Sequence, residues 1–191
     1  MKQVGRAKDA WFEIENAMHG ARSSGRIRPE IALDDVPAPV RLAKHGLAIN
    51  GEILDGEEEL AHGRFVLLHE PGGQDTWNGD TRIVVFVKAV LEEDLAVDPL
   101  LLDVGWDWLT ESIHRHDIDV TALSGTVSRT GSRGFGDLAE REIEGAIEIR
   151  ASWTIAPEHT AGALLAWCDL LATAGGLVPL QDGVRALRSR T

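Results

Sequence analysis

The chain has 191 residues, 43% of them hydrophobic, and 31 acidic against 19 basic side chains give it a net charge of −12. That length suits one domain with a sizeable core, and the apolar fraction excludes wholesale disorder. No apolar run approaches membrane-spanning length, and so acidic a domain starts with an electrostatic handicap toward nucleic acid, so neither is an expected partner. The Met1–Asp9 start has basic residues with no apolar stretch behind them, unlike a secretory signal. The lone Cys168, set among leucines, has no partner for an internal disulfide and reads as buried filler, which fits the cytoplasm. The reading is a single domain over 1–191, with a core over 9–187 and short basic ends.

In chain order, residues 9–20 predict a first helix, capped by Asp9 with Trp11, Ile14 and Met18 on one face and stopped by Gly20 and Ser23-Ser24-Gly25. Pro29, Pro37 and Pro39 make the next stretch an extended strap that must bury Ile31, Leu33 and Val36. Val40–Leu54 is compatible with a strand containing Asn50-Gly51 as a turn signal, and Glu57-Glu58-Glu59 is an exposed connection. A short strand over Arg64–His69 closes at Pro71-Gly72-Gly73. The loop Gln74–Asp80 then leads into Arg82–Leu91, which is apolar on both faces and predicts a central strand covered on both sides. Asp98-Pro99 starts a helix running to about His116, in which Gly105 costs about 1 kcal/mol relative to alanine and would let another part of the chain come close. Ile118–Ser128 predicts another strand. After a long loop, Ile143, Ile147, Ile149, Ala151, Trp153 and Ile155 alternate with polar residues, giving one dry face and one wet face. Pro157 ends that strand, and a last helix over about Glu158–Thr173 stops at Gly175-Gly176.

This order predicts an α+β fold: a mainly antiparallel five-stranded sheet with helices packed on one face, ferredoxin-like in part from residue 82 onward.

Several segments together carry a family likeness: Arg28-Pro29-Glu30, Val36-Pro37-Ala38-Pro39, Gly63–His69, Asp98-Pro99-Leu100-Leu101, Val104-Gly105-Trp106, Gly125–Arg129 and Glu148–Thr154. They resemble the actinobacterial family known as domain of unknown function three thousand, from about Phe12 to Leu187. The resemblance implies a bacterial, cytoplasmic protein and brings no activity, cofactor or catalytic residue with it.

Among candidate chemistry, Ser128–Gly136 holds two arginines, two serines, a threonine and three glycines in nine residues. Glycines free backbone amides to converge and arginine offers a charged planar fork, so Arg129, Ser132 and Arg133 are candidates for an anion. It is no P-loop, because the Gly-Lys-Ser/Thr ending is missing and a strand follows. The competing reading is a hairpin loop whose arginines pair with Asp137, Glu140 or Glu142.

No catalytic residue and no metal or other cofactor is expected. His114 and His116, two apart on a helix, point about 200° from each other. His62 and His159 are isolated. His69, Asp75 and Asp80 border the loop with Gln74 and Trp77, where turn chemistry competes with acid/base work. There are six tryptophans and no tyrosine. Trp108 and Trp153 read as core, whereas Trp77 in its polar loop and Trp106 off the apolar stripe offer a self- or partner contact.

The expected function is a binding or interaction module that recognises a small anionic ligand or an acidic protein partner through the Arg129–Arg133 segment. One alternative is a small enzyme acting on a phosphorylated or acyl substrate, with that segment and the His69–Asp80 region meeting at a pocket. A second is an accessory nucleic-acid binder using its basic ends, Arg22, Arg26 and Arg28 and the tail arginines Arg185, Arg188 and Arg190.

Overall fold

Alternation of apolar and polar residues builds the sheet, and a run of small and apolar residues builds the helix beneath it. The computed structural model describes residues 2–138 and 144–178. Its elements are α1 (Lys2–Ser23), β1 (Ile31–Val36), β2 (His45–Asp55), β3 (Glu58–Gln74), β4 (Gly79–Leu91), α2 (Glu93–Val97), α3 (Leu101–Arg115), β5 (Thr121–Ser132), β6 (Glu144–Ile155) and α4 (Thr160–Ala174). The strands form one sheet in the order β1-β2-β3-β4-β6-β5, and every neighbouring pair is antiparallel.

The sheet has six strands rather than five, because the proline-flanked strap is itself a strand. Pro29 and Pro37 bracket Ile31–Val36 without interrupting it, so its backbone can pair with β2 from Ile31 opposite Ile53 to Val36 opposite Ala48. From Gly79 onward β4 and β5, joined through α2 and α3, lie on either side of β6 and both run antiparallel to it, and beyond β4 the sheet continues through β3, β2 and β1. The expected turn at Asn50-Gly51 is instead the middle of β2, and Glu58-Glu59 opens β3 instead of forming a loop. The helix expected from Asp98 is α3, and the short α2 precedes it. The Asp98 carboxylate accepts a bond from the Leu100 amide at 2.8 Å, and α3 begins one residue later.

The helices cover one sheet face. Ile49 and Ile53, Phe65 and Leu67, Ile83, Val85 and Val87, and Ile147, Ile149 and Trp153 form a single core with α1, α3 and α4. Among the described residues the other face is open except at one end, where Ala38, Ala43 and Trp77 cover Ala48, Val66 and Leu68. β4 is therefore central without being covered on both sides: Val84 and Val90 are exposed. Phe86 survives there by packing laterally, with His62 beside its ring and the Arg150 guanidinium 5.0 Å over it.

α4 is apolar around most of its circumference, as a helix enclosed on several sides must be. Its Trp167 is fully buried and lies against Gly51 and Gly63, which sit opposite each other on β2 and β3. A methyl added at Gly51 would come 2.7 Å from the indole, and one at Gly63 would come 2.5 Å from the Phe86 carbonyl and 3.3 Å from the indole. The indole N–H donates to that same Phe86 carbonyl at 3.3 Å. A glycine pair thus hollows the sheet where the largest side chain of α4 must lie. A smaller version of the device sets α3 on the sheet, where Gly105 faces Ile147 and Val127.

A second tie joins the segment after α1 and the end of α3 to α4. Arg26 reaches His116 Nδ1 at 3.3 Å, and His116 Nε2 lies 2.9 Å from Asp169 Oδ2. A guanidinium can only donate, so Nδ1 accepts and the imidazole proton sits on Nε2, donated to Asp169. Arg115 adds a second bond to the same carboxylate oxygen at 3.2 Å. Burial works to raise the Asp169 pKa, but the hydrogen bonds from His116 and Arg115 and the Arg115 charge outweigh it and leave the carboxyl below its usual value.

Two outcomes are expected. Gly63→Ala should cost about 1–3 kcal/mol by overpacking and Trp167→Ala about 3–5 kcal/mol by cavity formation, both read as shifted denaturation midpoints. Because the folded Asp169 pKa lies below the unfolded one, its contribution is complete above the ordinary aspartate range and is lost as pH falls through the folded value. Asp169→Asn should accordingly lower stability by about 1–2 kcal/mol at neutral pH, with the difference from wild type shrinking in strong acid. Denaturation curves at both pH values check this, and a difference that acid leaves unchanged would show that the charge is not what matters.

Candidate functional site

The segment Ser128–Ser132 is not a loop. Thr126, Val127 and Thr130 suit a pleated backbone, and the ladder to β6 continues through Arg129 opposite Ile147 to Ser132 opposite Glu144. The stretch therefore forms the end of β5, the last strand of the sheet, which pairs with β6 alone among the described residues. Alternation then separates the side chains that a glycine-rich loop would have converged. Arg129 points to the helix side and donates to the Asp98 carbonyl, Ser132 ends the strand, and Arg133 follows with its guanidinium 5.9 Å over the exposed Phe135 ring.

Neither guanidinium forms an ion pair with a carboxylate among the described residues. Glu140 and Glu142, which the hairpin reading would pair with them, lie outside those residues. Ten of the twelve β5 residues are exposed, the exceptions being Leu123 and Val127, and the strand carries no carboxylate. Beside Asp98, where Arg129 docks, Val97 and Leu100 are 59% and 62% exposed. An edge strand, two cations and apolar side chains thus meet at one corner.

The Gln74–Asp80 region lies at the other end of the sheet. His69 pairs with Thr81 and Thr81 with Ile155, whereas Arg129 pairs with Ile147. Eight residues along β6 separate the two places by about 26 Å. They do not meet, so the pocket between them that the enzyme reading requires does not exist.

His69 is buried, with Nδ1 2.9 Å from Thr81 Oγ1, and the Thr81 hydroxyl donates to Asp80 at 3.0 Å. Thr81 has spent its proton on Asp80, so His69 Nδ1–H is the donor between them. Burial lowers the His69 pKa, with His45 adding to the effect while Asp80 and Glu70 oppose it, and Trp11 and His45 stack beside the ring. A neutral histidine enclosed in this way holds the fold and has no access to a substrate.

Gln74 and Asp75 shape the β3–β4 hairpin. Gln74 Nε2 donates to the Leu42 carbonyl at 2.9 Å, and the Gln74 and Asp75 carbonyls accept from the Trp77 and Asn78 amides. Trp77 is half-buried on its own sheet beside Ala48, Val66 and Leu68, and Trp106 is half-buried against Gly125 of β5. Of the two, Trp106 lies beside the edge strand.

The basic N-terminal segment is already engaged: Arg22 pairs with Asp35 at 2.6 Å, Arg28 with Glu30 at 3.1 Å, and Arg26 with His116. Arg185, Arg188 and Arg190 lie outside the described residues. Among the described residues no three His, Cys, Asp or Glu side chains gather as a metal site. Cys168 is buried, which raises its thiol pKa far above any nucleophilic range.

What the sequence reading missed is spatial. His114 and His159, 45 positions apart, border one cavity, and Val97 and Leu100 flank the carbonyl that holds Arg129. The exposed Leu100 beside Asp98-Pro99 was the one local signal for the second of these.

No curated protein and no solved structure is significantly similar to the chain. The family model described as Protein of unknown function (DUF3000) matches residues 9–185, which takes in every strand, α3 and α4. The chain belongs to that family.

Proposed function

We infer that the chain is a protein-binding module that captures an extended, carboxylate-bearing segment of a partner along the free edge of β5. The observation that carries this reading is the edge itself. Among the described residues the twelve-residue strand has a partner on one side only, so alternate N–H and C=O groups on the other side are available to a further strand. Main-chain pairing supplies affinity for any extended peptide, and the side chains at the corner supply the choice among them.

Arg129 and Arg133 stand four residues apart, about 13 Å of extended chain, and their guanidinium groups rest on different neighbours. That spacing suits two carboxylates along a peptide better than one small anion gripped by both. Exposed Val97, Leu100 and Phe135 add apolar contact that a free phosphate could not use. The acidic charge elsewhere on the chain is screened beyond about 10 Å, so the local cations decide the sign of the encounter.

A synthetic twelve-residue peptide alternating glutamate with valine and threonine should bind and slow amide exchange across residues 121–132. Its lysine counterpart should not. Arg129→Glu with Arg133→Glu should weaken binding roughly tenfold or more, as expected from losing a charge-assisted hydrogen bond. Binding that leaves β5 amides unprotected, or that survives the double reversal unchanged, would refute the reading.

A further inference from the structure

A cavity of about 500 Å³ lies at the opposite end of the sheet from the Arg129 corner, between the end of α3, the segment leading into β5 and the turn before α4. Its floor is apolar: Ile113 and Ile118 are buried and Leu123 is half-buried. Its rim is polar, with Asp117, Asp119, His114 and His159. This combination, a concave apolar base with a few polar groups above it, is how small-molecule sites are built, and the volume lies in their usual range. Carboxylates alone would be ordinary solvated surface; here they stand over buried isoleucines.

The backbone beside the cavity departs from local preference at two places. Asp117 has φ +49°, which its place just after α3 explains as a helix C-cap. Ala122 has φ +50°, where an alanine gains nothing locally, and it sits within the register irregularity between Thr121 and Ser124. Arg82 fixes it there from β4, donating to the Ala122 carbonyl at 3.0 Å while also bonding Thr154 and Ser152 at 3.1 and 2.6 Å. Bulges that re-aim a strand beside a binding site are a recurrent use of such irregularity.

The charge of the lining selects the ligand. Among the described residues no lysine or arginine borders the cavity. The adjoining recess, which shares Asp119 and His159 with it, adds Asp80 and Glu158 and again no lysine or arginine. His116, two positions from His114, has both ring nitrogens committed, whereas His114 and His159 have no side-chain hydrogen-bond partner among the described residues. A neutral imidazole can accept from an N–H, and the two aspartates attract positive charge.

We propose that this cavity binds a small organic amine, its ammonium group at Asp117 and Asp119 and its apolar body on Ile113, Ile118 and Leu123. The site is distinct from the β5 corner in position, charge and ligand, so either can fail without the other.

Phenethylamine, neutral 2-phenylethanol and anionic phenylacetate form a matched probe set with one apolar body and three charges. Titrated into the full chain by NMR, the amine should shift resonances of residues 110–123 and 159 and bind at least tenfold tighter than the alcohol, with phenylacetate weakest. Asp117→Asn with Asp119→Asn should cost the amine tenfold or more and bring it level with the alcohol; asparagine keeps the left-handed backbone at 117, so the fold should persist. Leu123→Trp, which fills the floor, should abolish binding of all three. Equal affinity for the three probes, shifts confined to other regions, or no binding into the millimolar range would overturn the proposal.

Discussion

The fold depends on one large side chain lying flat where the sheet has no side chains. Trp167 presses onto the Gly51–Gly63 pair and hydrogen-bonds the Phe86 carbonyl, so one residue of α4 touches three adjacent strands. An indole buried without its N–H partner would lose much of what its area contributes. Here the carbonyl of a strand edge-on to the helix accepts it. Contact this close requires both glycines, and it sets the depth at which the rest of α4 meets the sheet.

With α4 fixed on the helix side, the other elements have few choices. α1 and α3 flank it, and the Arg26–His116–Asp169 chain of hydrogen bonds ties the segment after α1 and the end of α3 to it. Nothing comparable covers the other sheet face, where Phe86 is shielded only by His62 and Arg150. Besides that open face, the molecule is accessible at two margins: the β5 edge at one end and the cavity behind the Thr121–Ser124 irregularity at the other.

Much of the sheet was legible because period-two alternation is a local property. The run from Ile147 to Ile155 and the Ile83–Val87 run are strands as read, and Gly175-Gly176 stops α4, with Gly176 in the left-handed conformation. Three misreadings share a cause, which is that the same residues serve two purposes. Asn50-Gly51 is a turn signal unless a tryptophan needs the space over the glycine. A glycine- and serine-rich stretch reads as a loop unless a neighbouring strand pairs with it, and Ser128–Ser132 has β6. Prolines at 29 and 37 suggested a strap although the six residues between Glu30 and Pro37 were free to pair. The convergence of His114 with His159, and the 26 Å between the Arg129 corner and His69, depend on strand order, which no local pattern encodes.

The two borders of the sheet are guarded unequally. β1 is short, carries Asp34 and Asp35, and runs into Pro37, features that discourage any further strand. β5 is twice as long and has neither proline nor carboxylate. Growth by strand addition can proceed from one border and then meets a border that refuses it. If strands add at β5, this asymmetry favours closed pairs over open-ended fibres, since a filament needs two receptive sides per unit.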